Sequence, residues 1–582
     1  MTNNQDQRRT KTKRQWSERR GIIIVLTSFL LTVLFAFLAL SVDTGRVVMT
    51  QTKMQNAVDA ASLAASQEIN AAVYAAGQGQ GSVTIDANSI AVNSARTMAA
   101  QVAAANGVFV DSGKDVKFGK RVYNNGDWTV QWGATPYNVV QVSARRTESD
   151  VTAQDGQFPL AFGWAINKSS VPLKATSSAF VEARDMVLVL DFSASMNDDS
   201  SLGSSLATSE VNAALDGMWD ALRTADPKWP GTSTSKFPSG GFGSINSYAG
   251  TYVSSTNTTT ILSTLQLTTN VSGNRKFPFP QSGRNSDGSP KAKPSNSTSD
   301  SLWTGYINYV KGLSGTYKQK YGYRTLMDYF QSQRFARDEA EDLWRTPHYP
   351  TQALKDGTSL FTQFLTDLNF GDEVGLVVYG QYAVQQKTFY DGEVSIDITA
   401  DPITPDYTKI DTIQKHLQAG EYEGWTAMGD GMLKGRALLV GDPAVAGDHG
   451  YSRYGARPTL IVMTDGQTNQ APNGWSMPNT FKWSDWTDYD SNGTANYTTT
   501  DINKKYAFYQ ATEAIKRGIT IHAITVGVGA DRDLMKAIAF AGKGICVDVP
   551  GGTTIAAMRE QMLSAFSQIA AKVPPASLIH DE

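Results

Sequence analysis

The chain has 582 residues, 41% of them hydrophobic and 18% charged, with a formal net charge of −3. That length predicts roughly three or four domain-sized units, the apolar share excludes a wholly disordered chain, and the near-neutral charge gives no global reason to expect nucleic acid. The single cysteine, Cys546, excludes an intrachain disulfide, a zinc ribbon and an iron–sulfur cluster, and the scattered histidines (His348, His416, His449, His522, His580) hold no HExxH pair.

In chain order, residues 1–20 form a basic tail carrying Arg8, Arg9, Lys11, Lys13, Arg14, Arg19 and Arg20 against Asp6 and Glu18. The run from Gly21 to Val42 has no charge and, at 1.5 Å per residue, spans roughly 30 Å as a helix, enough for a bilayer core. Residues 21–43 therefore read as a transmembrane helix. The basic tail predicts a cytoplasmic N-terminus, with the main body exported across a bacterial inner membrane. A cleaved signal peptide at Ala39-Leu40-Ser41 is the alternative, but the apolar run exceeds the usual signal length. The many Gly, Ser, Thr and Asn residues also look extracytoplasmic.

Residues 44–182 predict a helical stalk and a small α+β domain. Val47, Met54 and Ala61 recur seven apart, as do Val58 and Ala65, which makes a narrow stripe of mostly small residues on a helix reaching Asn70. A second Ala-rich helix is expected over about Ile90–Asn106, then strands at Val116–Val122, Trp128–Trp132, Val139–Ala144 and Val171–Val181.

From Asp185 the pattern changes. The run MVLVLD predicts a buried parallel strand, and similar strands follow at Val374–Tyr379, Leu460–Met463 and Ile521–Val526, with a weaker one at Ile545–Val549. Amphipathic helices are expected at Pro350–Leu368, Ala427–Leu439, Lys504–Lys516, Asp531–Ala541 and Thr554–Ala571, and a polar edge hairpin at Val384–Thr399. Alternating strands and helices over 183–575 predict an α/β fold with a doubly wound, mainly parallel sheet. A large insertion at about 200–345 interrupts it, with helix candidates at Glu210–Arg223 and Tyr323–Trp344 among low-complexity stretches. Pro350–Leu368 is favoured over Glu210–Arg223 as the first helix of the α/β unit because it leads directly into the next strand.

The first of these strands ends in Asp191-Phe192-Ser193-Ala194-Ser195. Open α/β sheets bind ligands at the carboxyl ends of their strands. Two further loops at that edge carry Thr426, in GWTAMGDG, and Asp465, in TDG. Asp191, Ser193, Ser195, Thr426 and Asp465 are all oxygen donors, a set suited to a hard divalent cation such as Mg2+ (or Mn2+ or Ca2+). Two carboxylates balance its charge and leave a position for an outside acidic ligand.

These motifs resemble the metal-ion-dependent adhesion site (MIDAS) of von Willebrand factor type A (VWA) domains. The resemblance implies that Ser193, Ser195 and Thr426 bind the ion directly, and Asp191 and Asp465 directly or through water. The insertion after Met196 departs from that pattern and could cap the site. Asp430 is expected to order its loop, Asn197, Asp198 and Asp199 to be a solvated polar loop, His522 and Cys546 to be core residues, and the insertion's aromatics (Trp219, Trp229, Trp303, Tyr306, Tyr309, Phe330, Trp344) to form a satellite core. The bland alternative for the Asp and Ser residues is capping alone.

The tail, one membrane helix and VDTGRVVMTQTKMQNAVDAASLAAS resemble TadG-like proteins of Tad (Flp) pilus assembly. Processed pseudopilins of such systems carry Glu at the fifth position after their cleavage glycine. Here Gly21 is followed by Ile22, Ile23, Ile24, Val25 and Leu26, so no such cleavage is expected. With no GxSxG, P-loop or GxGxxG, no enzyme is predicted. The expectation is a membrane-anchored, exported binding protein whose cation meets an acidic residue of a partner protein, in adhesion or with Tad-like pilus or secretion components. The alternative is a structural scaffold whose metal only stabilises the fold.

Overall fold

The computed structural model describes residues 6–78, 87–124, 126–225, 250–267, 279, 296–333, 344–391, 394–420, 424–551, 553–572, 574 and 576–579. Two compact units emerge: residues 1–72, 86–181 and 575–582 form the first, and 73–85 with 182–574 the second.

The first unit opens with helix α1 (Asp6–Gln78), 73 residues without a proline to break it. Its portion from Ile23 is apolar and long enough to cross a membrane, and its side chains from Ile23 to Leu38 are exposed to the surroundings. Further along, the stripe closes a core: Met54, Val58, Ala61 and Ala65 are buried. Helix α2 (Ala87–Ala105) buries Ala91, Ala95, Ala99 and Ala103, four apart and so on one face. The sheet comprises β1 (Val116–Asn124), β2 (Asp127–Trp132), β3 (Val139–Arg146) and, beyond the short pair β4 (Phe158–Pro159) and β5 (Ser170–Val171), β6 (Leu173–Phe180). Gln51 and Gln55 of α1 donate to the carbonyls of Lys174 and Thr176 at 2.7 and 3.2 Å, and Ser62 Oγ to Ser177 Oγ at 3.2 Å, which seats the helix along β6.

In the second unit, β7 (Arg184–Asp191) is buried along its whole length. After a 3-10 turn (Ala194–Ser200), the insertion holds α3 (Thr208–Ala225), β8 (Thr251–Tyr252), α4 (Thr258–Thr264), α5 (Asn296–Gly312), β9 (Lys320–Tyr321) and α6 (Tyr323–Ser332). It has its own core, in which Trp219, Phe279, Trp303, Tyr306 and Phe330 are buried, and Phe279 meets Trp303 edge-on at 4.8 Å. Trp229, the low-complexity stretches around 232–244 and 282–295, and the expected helix over 334–343 lie outside the described residues; helix α6 ends at Ser332.

The chain then runs through α7 (Thr351–Leu368), β10 (Glu373–Tyr379), β11 (Ala383–Gln385), β12 (Thr388–Tyr390), β13 (Ser395–Asp397), α8 (Tyr407–His416), α9 (Met428–Val440) and β14 (Arg457–Thr464). It closes with α10 (Ser484–Thr487), α11 (Ile502–Ile515), β15 (Thr520–Gly527), α12 (Arg532–Ala541), β16 (Lys543–Pro550) and α13 (Ile555–Ala570). A last strand, β17 (Ser577–Leu578), belongs to the first unit, whose sheet order is β17-β6-β3-β1-β2, antiparallel throughout.

The second unit's main sheet has the order β11-β10-β7-β14-β15-β16, with all neighbours parallel except the edge strand β11. Val187 and Val189 share a core with Met432, Phe508, Ala511 and Leu534, so α9, α11 and α12 cover one face. Met186, Leu188 and Leu190 turn to the other face by the strand period of two. Helix α7 packs against α13, with Phe361 6.0 Å from Phe566, whereas α3 packs on α6 and the 3-10 turn. The expected hairpin at Val384–Thr399 is two features: β11 extends the sheet, and β12 with β13 forms a separate pair.

Candidate metal centre

The carboxyl end of β7 is held by its neighbours. Phe192 N donates to Tyr379 O at 2.8 Å, Gly420 N to Phe192 O at 2.7 Å, and Ala427 N to Gly380 O at 2.7 Å, so the ends of β7 and β10 and the loop before α9 are laced together by main chain. Of the five residues singled out in sequence, Asp191 and Ser193 are fully buried, Thr426 and Asp465 are 4% and 8% exposed, and Ser195 is half-buried.

The structure brings their side chains together. Ser193 Oγ lies 3.1 Å from Ser195 Oγ, and Ser195 Oγ donates to Asp465 Oδ1 at 2.7 Å, linking segments 270 residues apart. Asp191 Oδ1 accepts from Ser193 N at 2.9 Å, which curls the loop back on its strand. The hydroxyls of Ser195 and Thr426 border one spot: a Cβ built on Gly466 would lie 3.6 Å from the first and 3.8 Å from the second.

Other residues position this set. Thr464 Oγ1 donates to Asp191 Oδ2 at 2.8 Å and orients the carboxylate. Asn469 clasps Thr426 from both sides: its Oδ1 accepts from Thr426 N at 2.7 Å and its N donates to Thr426 O at 3.2 Å, with Thr468 Oγ1 adding a bond to the same carbonyl at 3.1 Å. Tyr379, buried beneath, donates its hydroxyl to Met463 O at 2.7 Å. Sequence reasoning assigned none of these roles. Thr464 carried a signal, since it stands inside the TDG motif; Asn469 carried none beyond proximity.

The electrostatics are unbalanced. Burial pushes the Asp191 carboxyl above its ordinary value, against the bonds from Ser193 and Thr464 that pull it down. Burial, and then the charge of Asp191, hold Asp465 well above the carboxylate range, and the charges of Asp198 and Asp199 push it the same way. Among the described residues no lysine or arginine pairs with either carboxylate. Two buried carboxylates with hydroxyls between them and no cationic partner among the described residues fit a small divalent cation, which would relieve both desolvation and repulsion. Among the described residues no three His, Cys, Asp or Glu side chains cluster as a metal group; this donor set depends on hydroxyls as much as on carboxylates, the mix that suits a hard ion.

Asp430 accepts from Tyr506 Oη at 2.7 Å and ties the first turn of α9 to α11. Of the polar loop expected at Asn197, Asp198 and Asp199, Asp198 is exposed and Asp199 half-buried, but Asn197 is buried with Met196 and Ser200 in the 3-10 turn, where Met196 O accepts from Thr351 Oγ1 at 2.6 Å and Ser200 Oγ donates to Gln331 Oε1 at 3.2 Å. His522 is a core residue whose Nδ1 accepts from Ile545 N at 3.1 Å, with burial pulling its pKa down to about 3. Cys546 is half-buried, and burial pushes its thiol up to about 11.

The mainly parallel, doubly wound sheet with an antiparallel edge strand agrees with the α/β fold read from the sequence, and the candidate loops gather at its carboxyl edge. At the other end of the chain, residues 21–78 match the family model described as "Putative Flp pilus-assembly TadE/G-like". Comparison with curated proteins gives no match. Among solved structures, the chain is similar to proximal thread matrix protein 1 from the mussel byssus with a zinc-occupied MIDAS motif (12% identity, 69% of this chain and 99% of that one, TM-score 0.24). It is also similar to the pilus adhesin SpaC of Lactobacillus rhamnosus GG (15%, 38% and 28%, TM-score 0.24) and to manganese-loaded TRAP protein of Plasmodium vivax (14%, 32% and 53%, TM-score 0.20). In another structure of the mussel protein the match spans only 43% of that chain's length.

Proposed function

We propose that the second unit is a cation-dependent binding module and that the chain works in adhesion or pilus assembly from a membrane anchor. The observation that carries this reading is the convergence of Asp191, Ser193, Ser195, Thr426 and Asp465, with two buried carboxylates that lack a cationic partner among the described residues. Asp191 and Asp465 would supply negative charge to a Mg2+ or Mn2+ ion, and the three hydroxyls neutral oxygen. The ion keeps a position for a carboxylate of a partner protein. Trp425, 51% exposed beside Thr426, offers that partner an aromatic contact on the rim. In this reading the two carboxylates and three hydroxyls all serve as ligands of the ion, so the site binds rather than catalyses. The basic tail favours a cytoplasmic N-terminus, with the chain after residue 43 on the far side of the membrane.

The test is capture of partners by cross-linking in cells. Proteins held by the wild-type chain in Mg2+ and released by EDTA should be absent with Asp191→Ala; an unchanged set of captured proteins sinks the reading. A second reading, a scaffold of a Tad-like apparatus with a merely stabilising metal, is favoured by the family match at residues 21–78. It predicts that exchanging residues 21–70 for an unrelated membrane helix abolishes assembly even with the metal site intact.

A further inference from the structure

The β4–β5 hairpin carries an apolar tip, Leu160-Ala161-Phe162-Gly163-Trp164, that the metal-centred reading does not use. Phe162 is 39% and Trp164 79% exposed. The tip is a built feature. Pro159 pairs with Ser170, Leu160 N donates to Ser169 O at 3.0 Å, and Lys168 N donates to Gly163 O at 2.9 Å. A Cβ at Gly163 would fall 1.9 Å from Lys168 O, so only glycine fits this turn.

The tip is fastened to the membrane helix. Asp43, 7% exposed, accepts from Ala161 N and from Phe162 N, both at 2.8 Å. Asp43 directly follows the uncharged run that ends at Val42, so the tip lies beside the last turns of the span. An apolar cavity of about 460 Å³ opens there, walled by Val33, Phe37 and Leu40 of α1 and by Leu160 and Phe162 of the hairpin. Val33 stands ten residues before Asp43, which at 1.5 Å per residue is roughly 15 Å down the helix, or about half of a ~30 Å hydrocarbon core. An exposed tryptophan and phenylalanine at this level match the aromatic belt of membrane proteins. Water is a poor occupant for so apolar a cavity.

We propose that residues 160–164 are a membrane-inserted wedge: the tip enters the leaflet on the Asp43 side, and a lipid acyl chain fills the cavity between it and α1. The continuity of the cavity wall with the span identifies lipid as the occupant. The wedge adds a second point of membrane contact and fixes how the first unit stands on the bilayer. It rests on α1 crossing the membrane, not on the metal site.

The test uses the full-length chain in lipid nanodiscs. A nitroxide is placed at position 164 by Trp164→Cys in a Cys546→Ser background, with Leu34→Cys as the mid-span reference and Tyr454→Cys, at a position 94% exposed, as the aqueous one. Collision with oxygen relative to a water-soluble nickel chelate should be several-fold higher at 164 than at 454 and should approach the value at 34. A ratio at 164 equal to that at 454, with 34 still in lipid, overturns the wedge and leaves the span standing. Low access to both reagents at 164 means that protein covers the tip, and also overturns it. A water-like ratio at 34 overturns the span, and the wedge with it. Independently, brominated lipids should quench wild-type fluorescence more than that of Trp164→Phe; equal quenching contradicts the proposal.

Discussion

At the residue scale, the second unit's chemistry turns on two carboxylates raised above their ordinary range, Asp191 by burial and Asp465 by burial and by the charge of Asp191. Removing one charge should therefore help the metal-free protein. Asp465→Asn keeps an oxygen for the bond from Ser195 but ends the repulsion. In EDTA its Tm should exceed that of the wild type by a few degrees, about what 1 kcal/mol gives, while Mg2+ should no longer raise it; a lower Tm in EDTA would contradict the electrostatic account. Thr464→Val removes the bond that orients Asp191 and should weaken cation binding about 10–100-fold, the range for an outer-shell partner, without abolishing it. His522 makes a separate, pH-dependent contribution. Its folded pKa of about 3 lies below the ordinary 6.5, so between those values the unfolded chain binds the extra proton and stability is lost as pH falls. From pH 6.5 to 4 this amounts to roughly 3 kcal/mol at ~1.4 kcal/mol per unit. A His522→Asn variant should show a flatter decline in urea midpoint over that window; an identical slope would refute the assignment.

At the element scale, the sheet is pinned at the edge away from the metal by a buried ion pair. Arg184, opening β7, and Asp372, just before β10, are 2% and 3% exposed and meet at 2.6 Å. Arg184 N also donates to Asp372 Oδ1 at 2.7 Å, which sets the two strands in register. Asp372→Ala strands a buried guanidinium and should cost about 3–5 kcal/mol in urea unfolding; a loss below 1 kcal/mol would show that the pair is not structural. Elements differ in how far the sequence discloses them. MVLVLD announces β7 because a strand buried on both faces must be continuously apolar. Strand β16 is weakly written because it is the sheet's edge and mostly half-exposed. Strands β8 and β9 are two residues each, and β17 pairs with β6 nearly 400 positions earlier. Neither period nor turn chemistry reveals pairings set by distant contacts. The same limit hid Asn469, whose role exists only once its loop folds over Thr426, whereas the five candidate ligands were legible because their motifs stand at the ends of recognisable strands.

At the scale of the whole molecule, the chain folds into two compact units, the first of which contains the long apolar helix. The first unit is built on α1 itself: the small-residue stripe of the helix forms its core, and Asp43 fastens the hairpin tip beside the span. The second is an α/β unit whose ligand edge is formed by loops after β7, before α9 and after β14, with an insertion that brings its own aromatic core. The central claim is that this edge holds a divalent cation. Titrating Mn2+ and Mg2+ into the full-length chain by calorimetry, beside Asp191→Ala, tests it most directly. The account predicts saturable binding with one ion per chain at this site, lost in the folded variant. A folded wild type that binds neither ion, or an Asp191→Ala chain that binds both as tightly as the wild type, would contradict it.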